Sequence, residues 1–318
     1  MGGEHAFAAS GGSARVEALA SAFVERAGSA QDPAPLAAQL ERLLESYGEA
    51  GSPPDEIQVA RLEELRRWAS ELRAALSQDW QPAHATAYFR AVLRWERIVS
   101  RAWLDAAAVR AEREQALQLA SAHGLEAWSE LLRIAPLLEQ VQSAIYSAES
   151  DADAIDQARL TLERELPLLD RACASLPAPD TTADWYLLEA VMFLPYLTED
   201  AELARDALER GRALMEARGT ALMRLTFAPD SVADHMATGQ LNEARAELER
   251  TLAENPDELW ARPFLASLLG DVLRKLGETG AALEALATGE ADLLGTRTPE
   301  ELAPEELYDL CELYGVRG

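Results

Sequence analysis

The chain has 318 residues and a formal net charge of −26, from 29 basic and 55 acidic side chains. A surface this acidic repels the phosphates of nucleic acids and of anionic membranes, so the composition predicts neither as a partner. Two cysteines are too few for a disulfide framework or a zinc site in a chain of this length. Alanine, leucine, glutamate and arginine dominate, and these strong helix formers predict an all-α fold.

The sequence carries no signature of export or membrane insertion. Its first residues lack a basic segment followed by an apolar stretch, and no apolar run reaches the roughly 18 residues that span a bilayer. We therefore expect a cytoplasmic protein. The basic residues are almost all arginine, with a single lysine at Lys275, and this bias is typical of GC-rich coding rather than of a function.

In chain order, a Gly- and Ser-rich leader at residues 1–14 is expected to be disordered, and helical periodicity follows it. Asp32 precedes Pro33, the arrangement of an N-cap and a first helical turn. Gly124 follows a long helical run and is predicted to end it in a left-handed cap. The predicted helices cover residues 13–27, 33–47, 55–78, 82–123, 125–149, 152–175, 183–197, 201–218, 230–237, 241–254, 259–276, 281–294 and 299–314.

The stretch SLPAPDTTAD, Ser175–Asp184, is the predicted domain boundary. It separates an N-terminal helical bundle of longer helices at residues 15–175 from shorter, more regular helices at residues 185–318. The segment Pro299–Tyr314 has leucines at helical spacing and glutamates in its first turns. We expect it to be a capping helix, because a repeat array needs a terminal element with a polar outer face.

Self-similar segments recur in the second half of the chain. In two of them a glycine is followed five positions later by alanine and nine positions later by leucine, and a third has glutamate at the glycine position. The alanines are 40 and then 38 residues apart, a spacing typical of solenoids built from supersecondary units. The segments are EDAELARDAL at Glu199–Leu208, GQLNEARAEL at Gly239–Leu248 and GETGAALEAL at Gly277–Leu286.

The last of these segments and the helix before it form a helix–turn–helix pattern in Leu269, Gly270, Leu273, Gly277, Ala282 and Leu286. This pattern, found in degenerate form over about Trp185–Leu294, resembles the tetratricopeptide repeat. The resemblance implies a right-handed array of antiparallel helical hairpins. It also implies a non-catalytic adaptor or scaffold that binds a protein or peptide on a concave face. The spacing departs from the family period of about 34 residues.

Three small residues explain how two helices of this pattern could approach each other. Gly277 is predicted to end the first helix, because only glycine adopts the left-handed conformation at low steric cost. Gly270 lies inside that helix, where glycine costs about 1 kcal/mol relative to alanine. Because a missing side chain permits close packing, we expect Ala282 to face Gly270 across the helix pair.

An arginine-rich helix stands out in this acidic chain. The stretch YFRAVLRWERIVSRAW, Tyr88–Trp103, has four arginines at steps of four, three and four residues, which places them on one helix face. We predict a partner-binding groove for an acidic, carboxylate-bearing segment, held by charge-assisted hydrogen bonds. The alternative is a face that is solvated or paired with acidic neighbours. The four residues are Arg90, Arg94, Arg97 and Arg101.

Two other classes of function stay open. Five of the seven tryptophans could line a pocket in the N-terminal bundle, which would suit a small-molecule or signal-peptide sensor; ordinary core packing would explain them equally. An enzyme on a helical scaffold is the third hypothesis, although the sequence has no phosphate-binding loop, nucleophile elbow or paired-histidine motif. Neither a cofactor nor a metal site is predicted. The tryptophans are Trp68, Trp80, Trp95, Trp103 and Trp128.

Overall fold

The computed structural model describes residues 32–47, 59, 61–101, 106–146, 152–176, 180–256, 258, 261–295, 297–299, 302, 310 and 315–316. This part of the chain is helical and contains no strand, which confirms the all-α prediction. The predicted leader at 1–14 and the predicted helix at 13–27 lie outside the described residues. The helices are α1 (Pro33–Ser46), α2 (Leu62–Leu76), α3 (Pro82–Arg101), α4 (Ala107–Ala122), α5 (Glu126–Tyr146), α6 (Ala152–Ser175), α7 (Thr181–Leu197), α8 (Ala201–Arg218), α9 (Ala221–Ala237), α10 (Leu241–Glu254), α11 (Arg262–Lys275) and α12 (Thr279–Leu294).

The chain forms two compact units, which divide within α4 between Glu112 and Arg113. The stretch Ser175–Asp184, the predicted boundary, lies inside the second unit, where α6 and α7 pack against each other. The domain limits predicted from the sequence stay a prediction. None of the helices described is long and apolar enough to cross a membrane.

In the first unit, each of α1, α2 and α3 packs against the other two. The periodicity of the sequence explains this packing, because apolar residues spaced three or four apart share one helix face. On α2 the buried stripe includes Leu65, Trp68 and Leu72, and on α1 it includes Leu36 and Leu40. The predicted cap of α1 is confirmed, since the Asp32 carboxylate accepts a hydrogen bond from the backbone N–H of Ala34 at 2.9 Å.

In the second unit, every helix from α5 to α12 packs against the next along the chain. In addition, α5 packs against α7, α7 against α9 and α9 against α11. These four helices therefore form a layer, called here the odd-helix layer. Its helix α7 is apolar on nearly all sides, and 11 of its residues are buried, as expected for a helix that packs against α5, α6, α8 and α9.

Helix ends in the second unit follow from local sequence. Gly124, Gly239 and Gly277 have φ of +66°, +77° and +82°, and each follows the end of a helix. After α11 the N–H of Glu278 donates to the carbonyl of Leu273 at 2.9 Å and that of Gly277 to Arg274 at 3.0 Å. This is the Schellman arrangement, which satisfies the last carbonyls of a helix and requires a left-handed residue. The caps predicted at Gly124 and Gly277 are confirmed.

Two predicted helices are wrong in extent. The single helix predicted over residues 82–123 is two helices, α3 and α4; no glycine or proline between them signals a break. The helix predicted to begin at Asp230 begins at Ala221, where Thr220 Oγ1 accepts a hydrogen bond from the N–H of Met223. Helix α9 continues through Pro229, which costs one backbone hydrogen bond but does not end it.

The close approach predicted at Gly270 exists, but its partner differs from the prediction. A β-carbon at Gly270 would lie 2.7 Å from Cγ and Cδ2 of Leu286 on α12, so the leucine, rather than Ala282, fills the space above the glycine. A second close approach is found at Gly211 on α8. A β-carbon there would lie 2.5 Å from two ring atoms of Phe227 on α9.

Apolar residues from the end of the chain cover α12. Leu302 and Leu310 are buried in one cluster with Leu286 and Leu293 of that helix. This packing protects apolar surface that the last helix of an array would otherwise expose. Most of the predicted capping helix, Pro299–Tyr314, lies outside the described residues.

Candidate functional site

Two of the four arginines of α3 that were predicted to bind a partner are buried, and the groove itself stays a prediction. Arg94 and Arg97 are only 4% and 5% exposed, and Arg94 Nη2 donates to the carbonyl oxygen of Tyr47 at 2.8 Å. Arg90 is partly buried and forms an ion pair with Glu41 on α1, with Nη1 and Oε1 3.1 Å apart. The side chain of Arg101 lies outside the described part. Arg94 and Arg97 are covered where α1 and α2 both pack against α3.

The tryptophans contribute to two separate cores. Trp68 and Trp95 are 4% and 5% exposed in the first unit, whereas Trp128 is 4% exposed in the second. Trp80 is half-buried, and Trp103 lies outside the described residues. Neither of the two concave regions described next contains one of these side chains.

One concave region has a volume of about 680 Å³ and lies where α4 ends, α5 begins and α6 ends. The second has about 580 Å³ and lies along α8, α9 and α10 in the second unit. The lining of the second region includes the apolar side chains of Met215 and Phe227. It also carries both signs of charge, from Arg212, Arg224 and Arg250 and from Glu216, Glu243, Glu247 and Glu254.

Hydrogen bonds join most of the polar groups of this second region. Arg212 Nε donates to Ser231 Oγ at 3.0 Å, and Ser231 Oγ donates to Glu247 Oε2 at 2.8 Å. Arg212 also pairs with Asp234 at 2.7 Å. His235 Nε2 lies 3.5 Å from the same oxygen of Glu247. Because the serine is fully buried and bonded to a carboxylate rather than to the histidine, the cluster lacks the geometry of an activated nucleophile.

Metal binding and thiol chemistry are the remaining candidates in the described part of the chain. Among the described residues, no three His, Cys, Asp or Glu side chains are grouped so that they could hold a metal ion. Cys173 is buried, and its Sγ lies 3.4 Å from the carbonyl oxygen of Ala183. Burial, followed by the charge of Asp184, raises the pKa of the Cys173 thiol to about 12. A thiol in this environment is a poor nucleophile.

The odd-helix layer carries the most prominent exposed aromatic residues. Tyr196 on α7 is 58% exposed and Phe264 on α11 is 39% exposed, although most of both helices is buried. The hydroxyl of Tyr196 donates to Oδ1 of Asp230 on α9 at 2.6 Å, so these two side chains meet across the layer. Burial raises the pKa of Asp230, and the hydrogen bond from Tyr196 offsets part of this rise.

Tyr196, Asp230 and Phe264 are related by position in the chain. Each follows a proline directly, and 34 residues separate each from the next. They lie near the end of α7, in the middle of α9 and at the start of α11, and the three are called here the 34-residue row. The 34-residue spacing of the prolines is visible in the sequence. Because a proline predicts the start or the break of a helix, the sequence alone does not indicate that the residues after the prolines lie on three helices of one layer.

Comparison with known proteins adds no family to these observations. No protein-family model matches the chain, and no curated protein matches it. The functional interpretation therefore depends on the residues of the chain itself. Of the residues singled out in the sequence, the arginines and tryptophans whose side chains are described are mostly interior, while the row on the odd-helix layer was not predicted.

Proposed function

We propose that the protein is a non-catalytic scaffold that binds another protein or a peptide on the odd-helix layer. The observation that carries this proposal is the packing of α5, α7, α9 and α11 in succession, each against the next. In an array of hairpins, each unit contacts only its neighbours, and the helices of one layer present a continuous surface that grows with each added hairpin. Such a surface suits an extended partner.

The proposal includes a right-handed, tetratricopeptide-like arrangement of these hairpins. Two features support it. Glycines with positive φ stand at the turns after α9 and α11, at the positions of the sequence repeat. The prolines before the 34-residue row recur at a spacing that equals the period of about 34 residues in the tetratricopeptide family. The fold resemblance by itself is an analogy about function, so the surface has to be tested directly.

A polypeptide suits this surface better than a small molecule. A small-molecule site is a concave pocket that covers most of its ligand, whereas Tyr196 and Phe264 are exposed on different helices. Exposed aromatic side chains are enriched where proteins bind each other. We further propose that the protein acts in a bacterial cytoplasm, on the ground of composition.

Site-specific photo-crosslinking in the native host tests the scaffold. A photoreactive amino acid replaces Ala233, which is exposed on α9 one helical turn after Asp230. The matched control position is Leu160, which is 51% exposed on α6, outside the odd-helix layer. Irradiation of living cells is followed by purification of the full chain and identification of the attached proteins.

We expect a discrete adduct from position 233 that is absent or weak from position 160. Equal adducts from both positions, or none from position 233, would contradict the proposal. A partner that binds on the odd-helix layer has to contact position 233 and not position 160. Circular dichroism of both variants establishes that their helix content is unchanged. Neither position is buried, so neither substitution removes a core contact.

A further inference from the structure

Asp230 has an unusual environment for a carboxylate on a packed helix layer. It is partly buried in the middle of α9, and it accepts a hydrogen bond from Tyr196. Among the described residues, no basic side chain forms an ion pair with it, and its only recorded polar partner is the tyrosine hydroxyl. A desolvated carboxylate with one neutral donor is incompletely satisfied, since each oxygen can accept two hydrogen bonds.

Neighbouring carboxylates of the same helices differ in this respect. Asp234, one turn further along α9, pairs with Arg212 at 2.7 Å. Asp271 on α11 pairs with Lys275 at 3.0 Å and also with Arg274. The chain therefore supplies cations to these other carboxylates of α9 and α11, whereas no basic side chain of the described residues forms an ion pair with Asp230. A cation from another molecule would give Asp230 the kind of ion pair that Asp234 and Asp271 have within the chain.

The residues related to Asp230 by the 34-residue spacing are both aromatic. Tyr196 precedes it on α7 and Phe264 follows it on α11, and both rings are exposed in part. An aromatic face attracts a cation, and the attraction is strongest for a guanidinium that can also stack on the ring. The carboxylate of Asp230 and the ring of Tyr196, which meet on neighbouring helices, thus offer two complementary contacts for one planar cationic group.

We propose that Asp230 and Tyr196 bind an arginine side chain of a partner polypeptide, with apolar partner residues on either side of it, one of which contacts Phe264. The carboxylate of Asp230 accepts from the guanidinium, and the ring of Tyr196, whose hydroxyl is bonded to that carboxylate, stacks on it. The inference rests on the proposed scaffold function and specifies the chemistry of the partner for it. It also replaces the acidic partner expected from the sequence with a basic one, which agrees with a chain of net charge −26.

The length of the row sets the length of the partner segment. Helix axes in contact lie about 8–10 Å apart, so crossing from α7 to α11 takes roughly 16–20 Å. An extended chain advances about 3.3 Å per residue, so about six residues cross the row. Half-buried Met192 on α7 and Leu268 on α11 lie one turn from Tyr196 and Phe264, and they provide apolar surface beside the row.

The test uses a fluorescein-labelled nonapeptide with a central arginine between leucines and alanines, titrated against the full chain. Companion peptides carry citrulline, lysine or glutamate at the centre. Citrulline has nearly the shape of arginine without its charge, so it isolates the electrostatic contribution. Fluorescence anisotropy at about 150 mM salt reduces the general attraction of cationic peptides to an acidic protein, because the Debye length there is about 8 Å.

We expect the arginine peptide to bind about tenfold more tightly than the citrulline peptide, as for one charge-assisted hydrogen-bonded contact. Asp230→Asn should remove most of this difference, and Phe264→Ala should weaken arginine binding severalfold. The matched control is Glu243→Gln, which changes the net charge equally at an exposed residue of α10. Leu160→Ala controls for the loss of an exposed apolar side chain.

Three results would overturn the inference: no preference of the wild-type chain for arginine over citrulline, undiminished arginine binding by Asp230→Asn, or an equal loss in Glu243→Gln. A lysine peptide that binds as well as the arginine peptide would overturn the choice of a guanidinium. The two proposals can fail separately. An adduct at position 233 that persists in Asp230→Asn would refute only the arginine site, whereas the absence of any adduct there would refute the scaffold.

Discussion

Gly270→Ala is the sharpest test of the packing in the array, because two opposite effects act at one site. Alanine favours a helix over glycine by about 1 kcal/mol. However, the new methyl group would lie 2.7 Å from Cγ and Cδ2 of Leu286 and 3.2 Å from Cδ1. Carbon atoms in contact prefer a separation of about 3.5–4.0 Å, so the leucine has to move by roughly 1 Å.

The leucine has little room for such a movement. It is 1% exposed and packs in one cluster with Leu293, Leu302 and Leu310. Overpacking of a core by one methyl group typically costs about 1–3 kcal/mol. Set against the gain in helix propensity, the net expectation is a loss of up to about 2 kcal/mol in the free energy of unfolding. For a unit of roughly 150–250 residues, each kcal/mol lowers Tm by about 2–4 °C.

Urea denaturation followed by circular dichroism measures this effect in four proteins: wild type, Gly270→Ala, Leu286→Ala and the double variant. Leu286→Ala alone should cost about 2–5 kcal/mol through the cavity that it leaves. In that background the alanine at position 270 meets free space, so it should stabilise by about 1 kcal/mol, reversing its sign. The control is Gly280→Ala, which has no neighbour within 4 Å. Additive effects in the double variant, or a Gly270→Ala protein as stable as the control, would refute the packing assigned to this pair.

Three further predictions concern stability. Gly211→Ala should cost up to about 2 kcal/mol in urea denaturation, because overpacking against the ring of Phe227, 2.5 Å from the new atom, outweighs the gain of about 1 kcal/mol in helix propensity. Gly277→Ala meets open space at φ +82°, so it should cost only about 1–2 kcal/mol of backbone strain, visible as a lower Tm. Burial raises the pKa of Glu165, but hydrogen bonds from Arg133 and Arg164 outweigh it and lower the pKa overall. Glu165→Gln should therefore destabilise at pH 7, and the difference from wild type should shrink as the pH falls through the folded-state pKa of Glu165; a constant difference down to pH 3 would contradict this assignment.

Much of the candidate site could not be read from the sequence, and the arginines of α3 show why. Spacing places the four on one helix face, which holds for any amphipathic helix. Whether that face meets solvent depends on how many helices pack around it, and α1 and α2 both pack against α3. A guanidinium can be buried when carbonyl and carboxylate oxygens receive it, as the Tyr47 carbonyl receives Arg94. Those acceptors come from distant parts of the chain.

The 34-residue row illustrates the opposite case. Its spacing is present in the sequence, and its three prolines could have revealed it. Proline is nevertheless ambiguous, since it begins α11 but lies inside α7 and α9. Helix α9 continues through Pro229 although the proline removes a backbone hydrogen bond, so only the folded chain shows that the row crosses three helices of one layer.

The sequence by itself determined the helical fold, the cap at Asp32 and the turns at Gly124 and Gly277, because these depend on interactions within a few residues of the backbone. Tertiary structure decided which side chains face each other and which face solvent. It selected Leu286 rather than Ala282 as the neighbour of Gly270, and it left Asp230 on an exposed layer without a basic partner among the described residues. Contacts between residues far apart in the chain depend on the relative positions of whole helices, and local periodicity does not fix those positions.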